Sequence, residues 1–267
     1  MTRILALLEK DLADLRQNPA LFVPAALTGL VSILLPFLVA IVIPALAGER
    51  LSDSSDFTIA IESYRTQPSM RGLDPEGAIQ AWIFQRCLIL LVLTPIAGAM
   101  SVAAYSVIGE KQARTLEPLL ATPITTFELL AAKVLGAFLP ALMLTAGCFG
   151  AYGLGVVLFA QPGVIRVLLT PTSLAIVFGL GPLAALASLQ MAVCVSSRVN
   201  DPRSAQQIGA LVILPISGLL VVQLTGDVLL TIPVLAYLCL ALVAINAGLM
   251  WLGIRLFDRE AILVRWK

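Results

Sequence analysis

The chain has 267 residues, 59% of them hydrophobic and only 12% charged, with a formal net charge of +1. An ordinary soluble domain carries about 25% charged residues, and one of this length has no core able to hide several apolar runs of about 20 residues. Composition therefore excludes a water-soluble globular protein and predicts an all-α polytopic membrane protein with the lipid bilayer as its surroundings, while the balanced charge excludes a nucleic-acid partner.

In chain order, the segment MTRILALLEKDLADLRQNP comes first. Leu5, Leu8, Leu12 and Leu15 recur at helical spacing, which predicts an amphipathic helix over residues 1–20 lying in the headgroup region and ended by Asn18 and Pro19. Glu9, Lys10 and Asp11 interrupt the apolar patch too early for a signal-peptide core, so the segment is expected to stay on the mature protein. Apolar runs at 21–46, 87–108, 134–160, 172–196, 207–225 and 229–254 are each long enough to cross hydrocarbon and predict six transmembrane helices within a single domain, 1–267. Residues 47–86 are expected to form an extracytoplasmic loop folded as a small cap, with Pro75 opening a helix that runs through Trp82 towards the second span. Asp53 and Asp56 in that loop lack a second acidic cluster, and no metal site is predicted. Prolines at 24, 36, 44, 95, 140, 182, 215 and 233 mark kinks, and Gly147, Ala151 and Gly155 place small residues on one face of the third span.

With cytoplasmic termini, 12 of the 17 Lys and Arg residues fall on the inside segments, so the positive-inside bias favours that orientation in the cell membrane. None of the six spans, as drawn, contains Asp, Glu, Lys or Arg. Gln190, Gln223 and Asn246 are the strongest hydrogen-bonding side chains at depth. Interhelical bonds worth about 1 kcal/mol each are the plain reading for them, and contact with a substrate in a pathway is the functional alternative. The four cysteines lie in or beside apolar runs without close pairing, which suits packing residues. Histidine is absent, which removes His-Ser proteolysis, HExxH zinc chemistry and bis-histidine haem ligation together.

One charged island interrupts this chain: GEKQARTLEPLLATPITTFELLAAK, residues 109–133. Leucines, Ile124 and Phe127 supply apolar contacts, while Glu110, Lys111, Arg114, Glu117 and Glu128 supply polar ones. Pro118 and Pro123 interrupt the helix, and Thr125-Thr126-Phe127-Glu128 reads as a capping box that restarts it through Lys133. A helix-break-helix elbow pinned between two spans is a lever, since a force on its tip tilts both. An interfacial loop that only anchors the bundle is the plain alternative.

The run GEKQARTLEPLLATPITTFELLAAKVLG resembles the signature of type-2 ATP-binding-cassette exporter permeases, with Thr-Leu-Glu, Leu-Leu and a proline ahead of a helical restart. SSRVNDPRSAQQIGALVILPISGLL, residues 196–220, is similar to that family's joint between spans 4 and 5, and KDLADLRQNPALF is a third, weaker match. The resemblance implies a permease subunit that forms a substrate pathway as a homodimer or as a heterodimer with a similar chain. It also implies a coupling helix from about Glu110 to Pro123, seated in a groove of a separate ABC ATPase subunit that carries ATP and Mg. Carried over, Glu110, Arg114, Thr115, Leu116, Glu117, Leu119, Leu120 and Pro123 line that contact, and Asp201 caps the helix of a second, smaller one. The chain departs from the family in one place: Thr225-Gly226-Asp227 leaves room for little more than a turn where a re-entrant element often stands.

No G-x-x-x-x-G-K-[ST] run occurs, so the chain itself is expected to be no enzyme and to hold no cofactor. An ion-coupled secondary transporter needs intramembrane charges, and a lipid-modifying enzyme needs paired carboxylates or histidines. A non-transporting scaffold that recruits a cytoplasmic ATPase carries the same docking features as a permease.

Overall fold

The computed structural model describes residues 9, 13, 18–48, 50–53, 57, 72–112, 125–196, 202–225 and 230–256. The expected interfacial helix, apart from scattered positions, and residues 113–124 of the elbow lie outside these. Every element among the described residues is helical, and no strand occurs among them.

Helix α1 (Val23–Ala47) carries Pro24 in its first turn, where a missing N–H removes no bond, and passes Pro36 through a π-helical turn at Leu38–Val42. It stops at Gly48, whose φ of 69° is the left-handed conformation that favours glycine. Helix α2 (Pro75–Leu91) starts where Pro75 predicted, with Glu76 in its first turn accepting the N–H groups of Leu51 and Ser52. Helix α3 (Leu93–Gln112) continues the same rod after a break at Val92, whose N–H turns back to Ile89 O at 3.1 Å. Pro95 explains the break, because it has no N–H to offer the carbonyl of Leu91.

Helix α4 (Thr126–Phe159) is 34 residues long. The short α5 (Ile165–Leu168) and Thr170, whose hydroxyl caps Ser173 N, lead into α6 (Pro171–Val195). Helices α7 (Pro202–Gly209) and α8 (Ile213–Thr225) follow, and α9 (Ile232–Leu256) closes the described chain.

Helices α3 and α6 form the centre, packed on each other, with α1 and α4 against α3 and with α7 and α9 against α6. Between lipid-embedded helices burial supplies no hydrophobic force, so close backbone approach and van der Waals fit hold the bundle. Where three helices cross, Gly98 of α3 sits between Ala25 of α1 and Ala141 of α4. A methyl at Gly98 would come within 3.1 Å and 3.4 Å of their Cβ atoms. Towards the other end of the bundle, Phe37, Phe84 and Tyr152 pack together with ring centroids 4.8 to 5.8 Å apart, Tyr152 edge to face on both phenylalanines. There Tyr152 Oη donates to Phe84 O at 2.9 Å, which ties α4 to α2.

Two spans differ from expectation. Among the described residues five helices, not six, are long and apolar enough to cross a membrane. The stretch expected as one span over 207–225 is helical throughout, with a tight turn at Ala210–Val212 where α7 passes into α8. Pro215 withholds an N–H from Leu211, one cause of that turn. Gly209 is pressed against α3 and α6, and a Cβ there would meet the Met100 side chain at 3.0 Å and Ser188 O at 3.2 Å. The second span, in turn, begins at Pro75 and not at 87, and its helix is enclosed: 89% of its apolar window is buried, against 17% for α1 and 11% for α9.

Candidate functional site

The elbow is entered and left by helix. Helix α3 runs to Gln112, with Glu110 in its last turn, and Thr125 starts α4 from an extended conformation. Thr125 Oγ1 accepts Glu128 N–H at 3.2 Å, and Glu128 Oε2 accepts Thr125 N–H at 2.8 Å and the Thr125 hydroxyl at 2.9 Å. The capping box read from the sequence is present in both halves. Arg114, Thr115, Leu116, Glu117, Leu119, Leu120 and Pro123 lie outside the described residues, as does Asp201. Helix α7, which begins just after Asp201, is fastened to α3: Gln206 Nε2 donates to Ser101 Oγ at 3.2 Å, and Gly209 packs on Met100. Ser188 Oγ on α6 donates to Gly209 O at 3.1 Å. The flanks of both expected cytoplasmic contacts thus converge on α3.

The expectation that no charge enters a span needs correcting. Arg86 lies within the second span at 4% exposure, and Lys133, in the second turn of α4, is equally buried. Hydropathy alone drew the second span from 87 because it ends at a charge, whereas the helix continues through the charge by burying it. The Arg86 guanidinium lies over the Trp82 ring, 4.9 Å from its centroid. Arg86 Nη1 and Trp82 Nε1 are both buried and find no hydrogen-bond acceptor among the described residues. An arginine at the centre of a span costs about 2.5 to 3.5 kcal/mol on insertion scales. A cation–π contact returns about 0.5 to 2 kcal/mol, so the contact with Trp82 leaves a deficit. The spacing Trp82-x-x-x-Arg86 in a helix predicted from Pro75 was the available signal.

Depth follows from neighbouring bonds. Gln80 Oε1 accepts Gln161 N–H at 2.9 Å, just beyond the end of α4 at Phe159. Six residues further along α2, at about 1.5 Å each, Arg86 is about 9 Å inside that level.

Of the three polar residues expected at depth, Asn246 binds across helices, its Nδ2 donating to Leu183 O at 3.0 Å and to Leu242 O at 2.8 Å. Gln190 is buried with its Oε1 lacking a partner among the described residues, beside a cavity of about 10 Å³ lined by Leu130, Val134, Cys194 and Gly253. That volume has room for about one water. The Gln223 side chain lies outside the described residues. No group of three or more acidic, histidine or cysteine side chains stands ready for a metal among the described residues.

A bundle of long apolar helices, pressed together at small residues and joined by a capped charged elbow, defines a multi-pass membrane protein. The family model described as "ABC-2 family transporter protein" matches residues 75–252, two thirds of the chain. The chain belongs to that family and is a permease of an ABC transporter, which implies pairing with an ATPase subunit in a membrane. No curated protein and no solved structure matches it.

Proposed function

We propose that this permease is the transmembrane subunit of an exporter, in which two copies, or one copy and a similar chain, assemble with two ATPase subunits. The single domain spans the cell membrane six times, with the segment over 207–225 as its fifth crossing and both termini in the cytoplasm. Counting Arg86 with the bundle raises the positive-inside contrast that supports this orientation. The chain itself holds no ATP; ATP and Mg belong to the partner.

The observation that carries the reading is the way α3 and α4 flank residues 113–124. Helix α4, at 34 residues, is about 51 Å long, well beyond a hydrocarbon core of about 30 Å. Its first two turns carry Glu128 and Lys133 and are fixed by the capping box. Helices α3 and α4 also pack along each other, so a partner gripping the segment between them moves two spans at once. In this reading Leu116, Leu119 and Leu120 fill a groove of the ATPase, while Glu110, Arg114, Thr115, Glu117 and Pro123 set register at its rim, and Asp201 shapes the second contact through α7. ATP closes the ATPase pair, draws the elbows together and alternates the access of a central pathway, to which Gln190, Gln223 and Asn246 contribute polar groups.

The test is affinity purification of the tagged protein from its native membrane, with Leu119→Asp and Glu117→Lys alongside. An ATPase that comes down with the wild type and is lost with both variants supports the coupling element. Recovery unchanged in the variants, or no ATPase at all, sinks it.

A further inference from the structure

We propose that Arg86 and Trp82 form a recognition site for the anionic head group, phosphate or carboxylate, of an amphiphilic molecule held inside the bundle. The proposal depends on neither transport direction nor ATPase coupling, and its test reads binding alone.

Arg86 is 96% removed from solvent in the span Pro75–Ala103, so its charge cannot be left to water. Arginine keeps its proton in proteins, so it needs an anion. Of the helices packed against α2, α1, α5, α6 and α8 contain no Asp or Glu; the short turn Leu51–Asp53 sits at the Glu76 end of α2, and Glu110 is in the last turn of α3, 24 residues past Arg86. Glu76, on the same helix, is ten residues away, about 15 Å along the axis, and already accepts the N–H groups of Leu51 and Ser52. Glu128 is held at the far end of α4 by its capping box.

The donors that remain are arranged for recognition. Arg86 Nη1 and the Trp82 indole N–H are both unpartnered among the described residues, and a spacing of four puts them on one face of α2. The indole ring under the guanidinium holds it in place and shields one side, leaving its donor edge for a planar or tetrahedral oxyanion. Ile89, next on the same face, is buried in the apolar cluster with Ile216 and Leu230, so the surroundings on that side of Arg86 match the hydrocarbon tail of the same ligand. Head group and tail therefore meet complementary groups within about two turns of helix.

Trp82 supplies the readout. In a protein whose other tryptophans are replaced, Trp251→Phe and Trp266→Phe, the emission of Trp82 is followed in phosphatidylcholine nanodiscs during titration with dodecyl phosphate. The proposal expects a saturable shift, weakened about tenfold or more in Arg86→Gln, as for loss of a charge-assisted bond, and weakened less in Arg86→Lys, which keeps the charge but not the planar stacked donor edge. An equal response to inorganic phosphate supports the site and assigns it to a free anion. A pre-shifted emission in phosphatidylglycerol nanodiscs, with a blunted titration, supports it and assigns it to a bilayer lipid.

Three results overturn the proposal, each judged on protein that elutes as a folded species. One is no saturable shift in the wild type. Another is an equal shift with dodecyltrimethylammonium. The third is a shift that is absent in the wild type and appears in Asp56→Asn, Glu62→Gln or Asp227→Asn, which means that an internal carboxylate already holds Arg86.

Discussion

Replacing Thr125 by alanine removes the acceptor for Glu128 N–H (3.2 Å) and the hydroxyl that reaches Glu128 Oε2 (2.9 Å), while the bond from Thr125 N–H to Glu128 Oε2 at 2.8 Å stays available. Losing an N-cap costs about 0.5 to 2 kcal/mol. Thr125 is exposed, so water reaches the orphaned N–H and the cost falls near the middle of that range, about 1 kcal/mol, or about fivefold in the opening equilibrium of the first turn. Amide hydrogen exchange of the peptide covering residues 126–130, on protein in nanodiscs, measures this directly. Thr125→Ala is expected to lose protection there about fivefold, Thr125→Ser to keep it, and peptides from α6 to be unchanged in both. Equal protection in Thr125→Ala and wild type refutes the claim that the cap holds this end of the elbow. On the proposed coupling, a frayed first turn weakens the ATPase's grip on α4, so Thr125→Ala is also expected to lower transport per ATP hydrolysed.

Gly98→Leu forces a side chain into the crossing with Ala25 and Ala141, and overpacking of about 1 to 3 kcal/mol predicts a lower melting temperature by fluorescence-detected gel filtration. A variant as stable as wild type means that the three helices are not in firm contact there. Tyr152→Phe deletes only the buried bond to Phe84 O and is expected to cost about 0.6 to 1.7 kcal/mol, whereas Tyr152→Ala also opens a cavity and costs about 3 to 5 kcal/mol; equal losses would contradict that division. Pro95→Ala restores a donor for the Leu91 carbonyl, so the protein is expected to melt higher while ATP-driven transport falls. Unchanged transport in a straightened rod would show that the break at Val92 has no part in motion.

Local chemistry made some of this fold readable. Pro75 at the first position of α2, and the Thr125 to Glu128 box at the start of α4, are decided by backbone donors within one turn, and both stand where the sequence put them. Asn246 binds across helices as its place in an apolar run suggested, since a buried amide needs partners. What failed was any inference that treated a charge as the end of a span. Arg86 stacks on Trp82, one turn back on its own helix, and is enclosed by helices far along the chain, an environment that hydropathy along the sequence does not read. The tight turn at Ala210–Val212, inside the helical stretch expected as the fifth span, was missed for a related reason. The run from Ile208 to Val222 is largely apolar, and the turn at Ala210–Val212 accompanies Pro215 and the tight seat of Gly209 against Met100 and Ser188.

These two departures bear on how a pull on the elbow reaches Arg86. Below Val92, α3 is fastened to α4, α6 and α7, so that half of the rod follows the elbow. Above Val92, α2 is packed with α1, α5 and α8. Two connections between the halves bear on Arg86, beside α1, which packs against both and whose Ser32 Oγ donates to Leu90 O at 2.9 Å. One is the covalent joint at Val92, softened by Pro95. The other is α4 itself, tied to α2 through Tyr152 at Phe84 and through Gln161 at Gln80. Because α3 and α4 leave the elbow together but meet α2 at different heights, a tilt of the pair reaches α2 as a bend centred between Phe84 and Val92. Arg86 lies in that interval. On the proposed coupling, the elbow changes the surroundings of the one buried arginine in the span, so an anion held there is gripped in one state of the bundle and released in the other.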